Sequence, residues 1–124
     1  MTREEFEPAV LDFYGLRADY PFEEDFEKGV FRHSDSGKWF AIAMRVSEAK
    51  IGHSGSRIID IVNLKCAPEV IESIVGMEAG IYRAYHMNKA HWITLALSEC
   101  DAGTLSWLLG VSYELTRKKI GRAR

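Results

Sequence analysis

The chain has 124 residues, 47% of them hydrophobic and 27% charged, with two cysteines and a formal net charge of −2. This is the size and composition of one folded domain over residues 1–124, able to bury roughly two thirds of its unfolded surface without a disulfide or a structural metal. Disorder and a disulfide scaffold are excluded, and the net charge by itself gives nucleic-acid binding little support.

The charge is unevenly spread. Residues 1–28 carry a local −6, residues 29–124 a local +4, and the last eight residues, RKKIGRAR, hold five positive charges. A basic face is therefore compatible with the sequence. The N-terminal MTREEFEPAV lacks an apolar core, so no secretory signal is expected. No apolar run approaches the ~18 residues of a spanning helix. With Cys66 and Cys100 far apart and read as free thiols, the expectation is a cytoplasmic protein that does not enter membranes.

In chain order, Thr2 and Glu5 predict a capping box. The helix it opens places Phe6, Val10, Phe13 and Tyr14 on one face and stops at Gly15, with Pro8 kinking it or delaying its start. Residues 17–29 read as a polar, acidic connector. Val30 to His33 is a short strand, SDSG (34–37) a turn, and KWFAIAMRV (38–46) a second strand. Its alternation assigns Phe40, Ile42, Met44 and Val46 to the core and Trp39, Ala41, Ala43 and Arg45 to the other face. Residues 47–56 form a long glycine-bearing hairpin loop, and RIIDIVNLKC (57–66) is the third strand, rich in β-branched residues. Pro68 opens a short helix over 69–75. Gly76 and Gly80 bracket a loop, HWITLAL (91–97) is a strand, and Asp101 caps a last helix. That helix carries Leu105, Leu108, Leu109 and Leu115 near one face, with its C-terminal cations opposing the dipole. The order predicts an α+β domain with a largely antiparallel sheet and helices on one face.

Enzyme signatures are absent. GHSGS (52–56) fails the G-x-S-x-G nucleophile elbow, because the fifth residue is Ser56 and the loop joins two strands. His86 and His91 stand five apart, without the i, i+4 spacing or the local partners of a zinc site. No phosphate loop occurs, and GMEAG (76–80) has the wrong spacing. EEDFE (23–27) reads as a solvated acidic loop. No catalytic residue, metal or cofactor is therefore assigned. What remains is a basic surface: Lys50, Arg57, Lys65, Arg83, Lys89 and the C-terminal cluster can neutralise phosphates, and Tyr85, His86, Asn88 and Trp92 can add hydrogen bonds or stacking.

A family resemblance rests on YPF (20–22), KWFA (38–41), VNLKCAPE (62–69), YHMNKAHW (85–92) and SYEL (112–115), in that order. The chain resembles the MmcQ/YjbR-like proteins over nearly its whole length. The resemblance implies a compact α+β fold similar to CyaY and to type III secretion chaperones. It also implies binding of double-stranded DNA by two β-hairpin wings, without catalytic residues. Mapped here, the motif positions are Asn63, Lys65, His86, Asn88, Lys89, His91 and Trp92, and loop 47–56 is the long wing, with Lys50 and Arg57 near its ends. Where the family often has an aspartate before the helix proline, this chain has Ala67, which cannot cap.

Three readings follow. The first is a DNA-binding protein using Lys50, Arg57, Lys65, His86, Asn88, Lys89 and His91. The second is a chaperone-like protein-interaction module. The third is a small-ligand binder or enzyme around His86 and His91. Lys65, Lys89 and one histidine are expected to share a surface, with Met87 and Trp92 packed inward. A monomer or a weak homodimer is expected.

Overall fold

Thr2 and Glu5 form the reciprocal cap that their spacing predicts. Glu5 N–H donates to Thr2 Oγ1 at 3.3 Å, and Thr2 N–H donates to Glu5 Oε1 at 2.8 Å. The computed structural model describes residues 1–25 and 27–117; the cations expected to oppose the last helix dipole lie, after Arg117, outside the described residues. Helix α1 runs Arg3–Tyr14 and ends at Gly15, whose φ of 68° is the left-handed conformation glycine adopts freely. Pro8 sits inside the helix on its exposed side and does not delay its start.

One expected core residue of α1 is not in the core. Phe6 and Val10 are buried, whereas Phe13 is 80% exposed. At 3.6 residues per turn, positions 6, 10 and 14 span an arc of about 80°, while 13 falls about 20° outside it, toward Ala9. Phe13 therefore flanks the shallow cleft between the first and last helices, with Ala9, Leu105 and Ser106.

Five strands follow rather than the four expected: β1 Gly29–Arg32, β2 Trp39–Ser47, β3 Ile58–Lys65, β4 Ile81–Arg83 and β5 Trp92–Ala96. They form one sheet in the order β1-β2-β3-β5-β4, with every neighbouring pair antiparallel. Strand β4 is only three residues long, too short to show a period, and is held by pairing to β5. Helix α2, Pro68–Ile74, follows β3, and helix α3, Ala102–Thr116, ends the described chain. As expected, the fold is α+β.

The helices cover one sheet face and loops cover the other. Phe6 and Val10 of α1, Ile71 and Ile74 of α2, and Leu105, Leu108 and Leu109 of α3 pack with Ala41, Ala43, Val62, Leu64, Ile93 and Leu95. Leu115 is 43% exposed and does not join them. On the opposite face Val30, Ile42, Met44, Ile59, Ile61 and Ala96 form a second cluster, roofed by Ile51, Tyr85, Met87 and Trp92. Both faces are thus apolar, which is why the strands read as near-continuous hydrophobic runs.

The alternation expected of β2 breaks at Phe40. Phe31 pairs with Ala41 but Arg32 pairs with Trp39, so Phe40 is the extra residue of a bulge. The bulge turns Phe40 to the helix face beside Ala41 and Ala43, while Ile42 and Met44 face the loops. Ser112 of α3 completes the distortion. Its hydroxyl donates to Phe40 O at 2.5 Å and accepts from Lys65 N–H at 2.8 Å. A backbone carbonyl that the bulge could leave unpaired is satisfied.

Helix α2 lacks a side-chain cap at Ala67, and Pro68 occupies its first turn. Ala67→Asp is expected to stabilise the protein by about 1 kcal/mol, by accepting an orphan N–H. A urea unfolding midpoint that does not rise would show that the backbone at 67 cannot aim a carboxylate there.

Candidate functional site

The hairpin loops that carry the expected wing residues leave opposite ends of the sheet. Ser47 pairs with Ile58 at one end, and Lys65 pairs with Trp92 at the other. Both loops then fold back over the second apolar cluster. The first does so through a 3-10 turn, Glu48–Ile51, which buries Ile51. The second does so through Tyr85 and Met87. Their burial brings the loops together over β4 and leaves a groove of about 500 Å³ between them.

Lys50, His86 and Lys89 line this groove, with Tyr82, Arg83 and Tyr85 beside them. Neither Lys50 nor Lys89 has a carboxylate partner among the described residues; Lys89 Nζ donates to Ala84 O at 2.9 Å. Arg83 is different. Its guanidinium holds Glu72 by two hydrogen bonds of 2.8 and 3.2 Å. That hydrogen bond and charge hold the Glu72 carboxyl below its ordinary range and raise the Arg83 pKa in turn. His86 is the only non-glycine residue with positive φ among the described residues, at 58°. Histidine tolerates this conformation better than most side chains, at a cost of about 1 kcal/mol or more.

The remaining expected residues lie around the groove rather than in it. Arg57 is at the base of the first loop, its N–H donating to Glu48 Oε2 at 2.9 Å and its guanidinium 3.8 Å from Glu48 Oε1. Lys65 ends β3; Leu64 and Cys66 face the helices, so strand alternation turns Lys65 to the loop-covered side, the side of Lys89. Asn88 shapes a turn: its Oδ1 accepts from Ala90 N–H at 2.8 Å and its carbonyl from His91 N–H at 3.2 Å. His91 is exposed, with its own carbonyl accepting from Cys66 N–H. The structure thus gathers Lys50, His86 and Lys89 and leaves Arg57, Lys65, Asn88 and His91 outside.

Two buttresses fix the loops. Asn63, fully buried in β3, donates from Nδ2 to Tyr85 O at 2.8 Å. Its Oδ1 accepts from the Thr94 hydroxyl, which itself accepts from Tyr85 N–H at 2.8 Å. Every polar atom of this closed set has a partner, so it locks the second loop onto the sheet. The first loop is held by His53, whose Nε2 lies 3.1 Å from both Glu99 Oε2 and the Tyr82 oxygen. The Tyr82 hydroxyl donates to Glu99 Oε1. Burial first, and then the Glu99 carboxylate, push the Tyr82 phenol up to about 12, so it stays a neutral donor.

The match to known proteins agrees with this architecture. The YjbR family model covers residues 11–115. The chain belongs to the YjbR family. It is 37% identical to the protein YyaQ of Bacillus subtilis over 118 residues, 94% of this chain and 99% of YyaQ. A crystal structure from Pseudomonas syringae superposes with a TM-score of 0.91 at 40% identity, covering 94% of this chain and all of that one. A Deinococcus radiodurans protein with a DUF419 domain gives a TM-score of 0.69 at 25% identity, covering 98% of this chain and 83% of that one.

Within this YjbR-family chain, sequence reasoning missed His53, Tyr82 and Glu99. They stand 29 and 17 residues apart, and no local motif joins them. It did single out Asn63 as a motif position, but its work is to anchor Tyr85. The YHMNKAHW stretch is the arch that closes the groove: Tyr85, Met87 and Trp92 grip the apolar cluster, while His86 and Lys89 line the groove.

Proposed function

We propose that this YjbR-family chain works in the cytoplasm as a protein that binds the phosphate backbone of duplex DNA, with the two hairpin loops as its wings. The observation that carries the reading is the convergence of Lys50, Lys89 and His86 from two separate loops on one groove, with both lysines free of carboxylate partners among the described residues. Cations held by a rigid arch and not already neutralised are what a phosphate contact requires. Among the described residues no carboxylate lines the groove, and Glu72, next to it, is paired with Arg83.

The acidic segment 19–27 does not oppose this reading. Phe22 anchors it against Trp39, and Asp19 pairs with Val30 at the β1 edge, whereas the groove lies over β4 at the other edge. Four strand spacings put about 19 Å between the edges, roughly two Debye lengths at physiological salt.

Fluorescence anisotropy of a labelled duplex at several salt concentrations tests the reading. The expected dependence of log K on log salt has a slope of about −2 to −3, for two or three phosphate contacts. Lys50→Ala/Lys89→Ala is expected to weaken binding and flatten the slope by about 2, while lowering stability by no more than the Lys89–Ala84 hydrogen bond, about 1 kcal/mol. Absence of binding at low salt, or a slope untouched by the double substitution, would retire the groove as a DNA site.

A further inference from the structure

A second pocket, of about 510 Å³, lies between α1 and residues 17–20, near the β1 edge of the sheet and away from the hairpin loops. Its floor contains an unusual cation. The Arg3 side chain is only 7% exposed, and it sits in the first turn of α1, where the helix dipole is already positive. A buried guanidinium in that position needs an anionic partner and hydrogen-bond acceptors for its remaining N–H groups to offset its lost hydration.

The protein supplies one. Arg3 Nε donates to Glu7 Oε2 at 3.0 Å. The Tyr20 hydroxyl lies 2.9 Å from both oxygens of the same carboxylate. Glu4, the other acid lining the pocket, is held by Arg45 at 2.7 Å. The two acids are therefore engaged; the Nη edge of Arg3 has only the Tyr20 hydroxyl beside it, and the guanidinium of Arg17 has no hydrogen-bond acceptor among the described residues. No side-chain nitrogen or oxygen among those residues is both sealed from solvent and unpartnered, and Arg3 lines the pocket. Gly29 lets the guanidinium lie this deep: a Cβ there would stand 3.0 Å from Nη2.

The lining also has an apolar part, formed by Pro8, Leu11 and Ala18. We propose that this pocket binds a small organic carboxylate, its oxygens on the outer edge of Arg3 and on Arg17 and its hydrocarbon part against Leu11, Pro8 and Ala18. A planar guanidinium fork suits a carboxylate because two parallel N–H donors match its two oxygens. Neither the DNA reading nor the groove over β4 enters this inference.

Sodium hexanoate is the probe, with inorganic phosphate and sodium chloride as comparisons, and the arginine Nε–H resonances are followed by nitrogen-15 NMR on the full chain. Hexanoate is expected to shift the Arg3 signal saturably in the millimolar range, phosphate to act more weakly, and chloride not at all. Arg17→Ala, a substitution at an exposed residue that leaves the fold intact, is expected to weaken hexanoate about tenfold, the loss of one charge-assisted contact. Lys89→Ala is expected to leave it unchanged. The proposal is overturned if the Arg3 signal does not saturate, if Arg17→Ala binds hexanoate as well as the parent chain, or if phosphate matches hexanoate.

Discussion

Phe40→Ala is expected to destabilise the protein by about 3–5 kcal/mol, the cost of emptying a large buried aromatic site that cannot collapse. Phe40 is fully buried at the bulge of β2. Its ring centroid lies 5.1 Å from Tyr113, 5.2 Å from His33, 5.9 Å from Tyr14 and 6.3 Å from Phe31. These neighbours come from α1, α3, β1 and the turn after it, so the cavity would open where all of them meet. The surroundings cannot close it without moving the backbone held by Ser112. Chemical denaturation measures the loss, and Phe40→Leu, which keeps most of the volume, is expected to cost less than half as much. A loss under about 1 kcal/mol for the alanine variant would mean that the bulge does not aim this ring at the helices.

Asn63→Ala carries the second large effect, a loss of about 2–4 kcal/mol. It deletes a buried side chain that serves two others. The half-buried Tyr85 carbonyl loses its donor and the fully buried Thr94 hydroxyl loses its acceptor. Unpaired buried polar groups cost more than the average hydrogen bond contributes, which is why the expected loss is large for so small a deletion. Amide hydrogen exchange gives the more telling readout. The Tyr85 N–H, bonded to Thr94, is expected to lose protection ahead of the β3 amides, because the arch loosens before the sheet does. If duplex DNA binds at the groove, the same variant lowers affinity without removing a cation. Unchanged Tyr85 protection would show that the arch is held by Met87 and Trp92 alone.

Much of this molecule is written locally. The cap at Thr2 and Glu5, the stop at Gly15 and the cap at Asp101 are short-range hydrogen bonds or backbone conformations, and they appear where the residues call for them. Strands β1, β2, β3 and β5 are long or branched enough to announce themselves, and the family motifs lie where the chain's relatives have the same fold. The basic residues of the groove were nameable from the sequence one by one, Lys50, His86 and Lys89 among them.

What the sequence by itself determined was therefore the class of fold, the succession of most of its elements and the family. Which residues meet was decided only by tertiary packing. A three-residue strand forms because β5 is beside it, not because Ile81, Tyr82 and Arg83 favour it. The face on which Phe40 lies depends on one extra residue opposite β1, and period-two alternation cannot show a bulge. Lys50 and Lys89 are far apart in the chain and start from opposite ends of the sheet; they come together because Ile51, Tyr85 and Met87 must cover the same apolar face. Arg3 reads as an ordinary first-turn arginine until α1 is laid on the sheet, and only then is its guanidinium buried beside an open pocket. Local interactions act over a few residues and leave a mark in the sequence, whereas burial is a property of the assembled surface and has no value until every layer is in place.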